Sequence, residues 1–188
     1  MDQRVNRRER TQRVPRPLDA AGLRDLALAY VARFATSAAK LERYLVRKVR
    51  ERGWDGDVSA DPGAIALHLV ELGYVDDEAY AAAKSGSLLR RGYGGRRIGQ
   101  ALAQAGIAAE TRAAVQPGES AARQAVLAYA RKRRLGPFGA PVADRAQREK
   151  QIAALLRAGH RLDSAREIVD AADIAAAESW AAEPVDES

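Results

Sequence analysis

The chain has 188 residues, 47% of them apolar, and a formal net charge of +6. It has no cysteine, which excludes a disulfide framework and a thiolate metal site, and no apolar run approaching the roughly 18 residues of a membrane span. Much of the apolar share is alanine, with only two Phe and two Trp, so the core is expected to be thin and helical; the N-terminus lacks a signal-peptide stretch, which fits the cytoplasm.

Residues 1–17 carry six arginines against Asp2 and Glu9 and end in Val-Pro-Arg-Pro, where two prolines prevent a continuous helix. They are expected to form a basic, disordered arm. Regular structure begins near Leu18, where Leu23, Leu26, Ala27, Tyr30, Val31 and Phe34 recur at helical spacing. Thr36 or Ser37 offers an N-cap to a second helix carrying Leu41, Leu45 and Val49, which Gly53 stops. After a loop, Pro62 suits the first turn of a third helix whose apolar face is Ile65, Leu69 and Leu72. These helices make a first unit, residues 18–75.

A second unit, residues 76–118, opens on Asp76, Asp77 and Glu78, acids that complement the free amides and dipole of a helix start. Its first helix runs to about Arg91, GYGG breaks it, a second helix passes through Ile98 and Leu102 to Gly106, and a short third one follows. The third unit, residues 119–171, holds a helix up to Arg134, a loop with Pro137 and Pro141, a helix stopped at Gly159 and a last helix from Leu162. Residues 172–188 are alanine-rich and acidic and are expected to form a C-terminal tail, frayed beyond Trp180. No segment alternates with the period of a strand.

Gly53, Gly106 and Gly159 lie 53 residues apart, each four positions after an apolar residue, Val49, Leu102 and Leu155. Eight positions before the glycine stand Leu45 and Ile98, whereas the third copy has Gln151 and moves its apolar residue to Ile152. A glycine just past a helical apolar run reads as a left-handed stop, so one helical unit is used three times. Such an array serves as a binding scaffold more readily than as a catalytic pocket.

Charge is unevenly distributed. Residues 18–83 hold 8 basic and 11 acidic groups, residues 84–160 hold 15 and 4, and residues 161–188 hold 2 and 8. A basic middle beside an acidic end predicts a polyanionic or acidic partner. Within it, Arg90, Arg91, Arg96 and Arg97 bracket Tyr93, and Arg131, Lys132, Arg133 and Arg134 close a helix before Phe138. These nine residues from Arg90 to Tyr93 to Arg134, Phe138 aside, are the candidate partner-binding set; the competing reading is solvated helix ends favoured by the macrodipole. Both aromatics are expected to be exposed.

No catalytic or metal site is expected. GYGGRRIG fails the dinucleotide pattern because Arg97 stands where its last glycine belongs, and no strand precedes it. The two histidines, His68 and His160, do not make a metal site unaided, Asp76 and Asp77 read as helix caps, and no side chain stands in the setting of an activated nucleophile. No cofactor is expected.

YVDDEAYA at 74–81 followed by RRGYGGRRIGQALAQAGI at 90–107 resembles the signature region of the RecX family, bacterial regulators of the RecA recombinase. ALAYVARF, Ser37, Leu41 and Leu45 are similar to the family's first unit, and LLRAGHRLDSAREIV to its last helix pair, so the resemblance covers roughly residues 20–170. The third unit departs from it, with Ala158, Gly159 and His160 in place of the commoner Arg-Gly-Phe. The resemblance implies an all-α protein of three tandem three-helix, helix-turn-helix-like units in an elongated, curved array. It implies a monomeric regulator, not an enzyme, that binds the RecA–single-stranded DNA filament, limits its growth and damps strand exchange, ATP hydrolysis and the SOS response, with weak direct DNA binding besides. The runner-up reading is a sequence-nonspecific DNA-binding protein, since helix-turn-helix-like units also bind duplexes.

Overall fold

The computed structural model describes residues 16–141 and 144–184, and every regular element among them is helical. Most of the expected basic arm, residues 1–15, lies outside the described residues, as does the end of the expected tail, residues 185–188. Helix α1 (Ala20–Val31), α2 (Ala38–Arg52) and α3 (Pro62–Glu71) enclose a first core of Leu18, Leu23, Ala27, Leu41, Leu45, Ala66, Leu69 and Val75. Leu18 is tied in by backbone as well: its N–H donates to the Gly53 carbonyl at 3.0 Å, and its carbonyl accepts from the Asp55 N–H at 2.8 Å.

Two residues of the expected apolar faces lie elsewhere. α1 ends at Val31, before Phe34 is reached, and Phe34 is 52% exposed. Leu72 caps α3 at its C-terminal end and is likewise exposed, while Ala66 takes the buried position. Periodicity runs past the point where the backbone leaves the helix, and the face ends there.

Helix α4 (Asp77–Arg90), α5 (Gly95–Gln104) and α6 (Ala109–Ala114) surround a smaller core of Ala81, Leu88, Ile98, Leu102, Ala105 and Ile107. The third group has α7 (Glu119–Arg133), a 3-10 turn at Gly136–Phe138, α8 (Arg145–Arg157) and α9 (Leu162–Asp170). A fourth helix joins them. α10 (Ile174–Ala182) falls where an acidic tail was expected, but Asp173 caps it and Ala177 and Ala181, one turn apart, are buried in the third core. Trp180 packs beside them, and the Gln124 side-chain amide donates to the Ala181 carbonyl at 2.7 Å.

The polar residue in the third copy of the helix has a structural cause. Gln151 turns its Oε1 to the Gly136 N–H at 2.6 Å, satisfying the amide that opens the 3-10 turn, while Ile152 and Leu155 fill the core. Buried amides left without such a partner cost about 1–3 kcal/mol.

Polar joints link the successive cores. Between the first and second, Asp77 Oδ1 accepts from the Ala38 N–H at 2.9 Å, and Ser37 Oγ donates to the Ala105 carbonyl at 2.5 Å. Asp76 caps α4 as expected, accepting from the Ala79 N–H, but the Asp77 carboxylate serves the start of α2 instead. Between the second and third, the Gly94 N–H donates to the Ala158 carbonyl at 3.0 Å and the Arg96 N–H to the Gly159 carbonyl at 3.2 Å. Gly53, Gly106 and Gly159 all have positive φ, of +83°, +80° and +95°, although Gly53, with ψ of 168°, is extended rather than in the left-handed helical stop. Gly106 lies against Ala39 of α2 and Gly159 against Arg97 of α5, so two of the three also form the joints.

Candidate functional site

One arginine of each basic cluster reaches the joint between the second and third helical groups. Arg90 ends α4, and its guanidinium lies over Gly86 one turn back; Arg91 follows as the C-cap, its guanidinium 5.4 Å from the Tyr93 ring centre. Tyr93 is half-buried, packed on the second core, and its ring centre is 6.0 Å from that of Tyr129 of α7. Arg133, one turn beyond Tyr129, places its guanidinium 5.7 Å from the Tyr129 ring. Arg91, Tyr93, Tyr129 and Arg133 therefore form one continuous row in which each cation sits on a ring.

The other candidates lie at neighbouring helix ends. Arg96 and Arg97 project from the first turn of α5, both exposed, with their backbone pressed against Gly159. Lys132 is exposed, and Arg134 is exposed in a left-handed conformation at the end of α7. Arg131 pairs with Glu178 of α10 and lies over Phe138 at 5.3 Å, so an acid from within the chain already engages it. Phe138 is half-buried against the third core. The expectation that Tyr93 and Phe138 are exposed is thus corrected: each ring has one face on a core and carries an arginine on its outer part.

Tyr129 is the residue of this joint that the sequence reading does not single out, although its spacing of one turn from Arg133 carries the signal, whereas His160 takes the structural part expected of it. His160 is 3% exposed, and its Nε2–H donates to the Gly92 carbonyl at 3.0 Å, the ring edge-on to Tyr129 at 5.8 Å. Burial pushes its pKa below the ordinary histidine value, and the hydrogen bond to Gly92 works weakly against that. A neutral ring that locks α8 to the turn after α4 is a structural part, not a catalytic base.

Among the described residues no cluster of His, Asp and Glu is placed to hold a metal ion, and no helix is long and apolar enough to cross a membrane. What the surface offers is a set of cations on rigid helix ends, suited to contact with phosphate or carboxylate groups.

The architecture is that of an all-helical protein built from three-helix units, with its polar chemistry at the joints. A family profile described as "RecX, second three-helix domain" matches residues 76–115. The chain is 34% identical over 173 residues to the regulatory protein RecX of Myxococcus xanthus (strain DK1622), covering 87% of this chain and 92% of that protein. Its fold is similar to the crystal structure of RecX from Lactobacillus salivarius, with a TM-score of 0.61 and 17% identity over 80% of this chain and 94% of that one. A second crystal structure, of a regulatory protein RecX, gives a TM-score of 0.60 at 19% identity, covering 80% of this chain and 70% of that one. The chain belongs to the RecX family of regulatory proteins, and its role is regulatory rather than enzymatic.

Proposed function

We propose that the protein binds the RecA–single-stranded DNA filament as a monomer in the cytoplasm and restrains the recombinase, and with it recombinational repair and the SOS response. The observation that carries this reading is the identity to a regulatory protein RecX along 87% of the chain. The surface is compatible with it: Arg90, Arg91, Arg96, Arg97, Lys132, Arg133 and Arg134 are all exposed, and Arg91 and Arg133 are linked across the second joint by Tyr93 and Tyr129. Units of about 50 residues, each about 25 Å across, reach about 75 Å in a row, long enough to touch several subunits of a filament. Weak contacts repeated along such a length add through effective concentration and need no deep pocket.

The 15 basic against 4 acidic groups in residues 84–160 also favour a plain DNA-binding protein, the competing reading. Anisotropy of the labelled protein against naked single strands, duplex and recombinase-coated strands separates the two. Filament regulation requires preferential binding to the coated strand, together with a dose-dependent fall in RecA ATP hydrolysis. Equal binding to naked DNA, lost steeply with salt and without effect on the recombinase, overturns it.

A further inference from the structure

The joint between the first and second helical groups holds an open cleft of about 380 Å3, on a part of the chain whose average charge is acidic. Lys40, Arg43 and Arg47 enter it from α2, and Lys84 enters from α4. On α2 the spacing of three and four residues brings these cations to one face, with Tyr44 among them. Among the described residues that line the cleft there is no carboxylate. Two acids of this region are engaged elsewhere, Glu42 beside Gly63 of α3 and Asp77 on the Ala38 N–H, while Glu51, outside the lining, pairs with Lys48 and Arg47.

The cleft is also aromatic. Tyr30 and Tyr44, which line it, stack with ring centres 4.2 Å apart, and the exposed Phe34, outside the lining, extends the row at 5.2 Å from Tyr30, with the Arg33 guanidinium 5.8 Å from its ring centre. On the opposite wall, Lys40 Nζ is 3.1 Å from the Tyr80 hydroxyl and 5.1 Å from its ring centre, which holds this cation across the joint. Arg43 is partly occupied, donating to the Gln104 carbonyl at 2.9 Å, and Arg47 pairs with Glu51 at 3.5 Å, both side chains largely exposed, with its guanidinium 5.6 Å from the Tyr44 ring centre; Lys84 completes the set from α4.

A cation-rich groove beside a row of rings matches the two demands of an unpaired strand, whose phosphates need charge and whose bases need faces to stack on. A duplex keeps its bases stacked inside and has no use for the rings. We propose that this cleft is a binding site for single-stranded nucleic acid, with phosphates held by Lys40, Arg47 and Lys84 and an unstacked base on the outer end of the Phe34, Tyr30 and Tyr44 row. The site is separate from the arginines of the second joint and does not rest on the filament reading, since its test contains no recombinase.

The test is fluorescence anisotropy of a labelled oligothymidylate of about 20 nucleotides with the full chain. Replacing Arg47→Ala and Lys84→Ala together is expected to weaken binding about tenfold or more and to lower the salt slope by about 1.4, two phosphate contacts at about 0.7 each. Phe34→Ala is expected to weaken the single strand about tenfold and leave a duplex of equal length unchanged, with an unaltered melting temperature because the ring is exposed. Charge-preserving Arg47→Lys with Lys84→Arg keeps the affinity, which separates lost charge from lost folding. Unchanged affinity in both the double variant and Phe34→Ala overturns the proposal. So does polyglutamate displacing the strand with Phe34→Ala having no effect, the behaviour of a site for acidic peptides.

Discussion

Gly53, Gly106 and Gly159 share an interval and a positive φ but not a neighbourhood. A Cβ on Gly53 would meet only the Pro17 side chain at 3.8 Å, whereas one on Gly159 would overlap the backbone of Arg97. Gly53→Ala is therefore expected to cost only backbone strain, about 1–3 kcal/mol, and Gly159→Ala more than that because the overlap with Arg97 adds to it, read from urea unfolding midpoints. Equal losses would mean that the second joint yields freely. His160 makes the same joint sensitive to pH. Its pKa is lowered in the fold by burial, so the unfolded chain takes up the proton first; the stabilisation is complete above the ordinary value near 6.5 and is lost as pH falls below it. The melting temperature is expected to fall more between about pH 7.5 and 5.5 in the natural protein than in His160→Gln, and parallel curves would refute the assignment.

At the scale of elements, α10 is the clearest departure from the periodic pattern. Its residues read as a tail because alanine carries little apolar signal and the surrounding sequence is acidic, yet Ala177 and Ala181 are small enough to bring the helix close to α7. Arg123 then lies 5.0 Å from the Trp180 ring and donates to the Trp180 carbonyl at 3.2 Å. Truncation after Ala171 is expected to cost about 2–4 kcal/mol and to lower the melting temperature by about 5–10 °C, measured by circular dichroism. A dispensable tail would leave the melt unchanged. The other helices were legible in advance: α4 and α5 by their acidic start and glycine stops, α2 by Ser37 and Gly53. Where spacing misled, the helix ended before the apolar pattern did, about one turn short of Phe34 and one residue short of Leu72.

Across the whole molecule, three separate apolar cores alternate with two polar joints, so charges can be replaced at a joint's rim without emptying a core. Replacing Arg96→Glu and Arg97→Glu keeps their backbone contacts with Gly159 while reversing two exposed charges. This variant is expected to inhibit RecA ATP hydrolysis at least tenfold less well with a melting temperature within a few degrees of the natural protein, since exposed substitutions typically cost under about 0.5 kcal/mol each. A collapse of stability would assign both arginines to the joint itself.

Sequence alone determined the helical class, the repeated unit and the basic character of the second and third groups, because period, caps, glycine stops and net charge are local properties of the chain. Which charges remain available was decided only by tertiary structure. Arg131 and Arg148 both read as free cations in one dimension, yet the fold sets Glu178 against the first and Asp170 against the second. The opposite happened at the first joint, where an acidic stretch turned Glu42 and Asp77 away and left Lys40 and Lys84 around a common cleft, with Arg47 paired only to Glu51 outside its lining. Charge along the chain is a sum over all faces of a helix, and packing decides which face meets a partner.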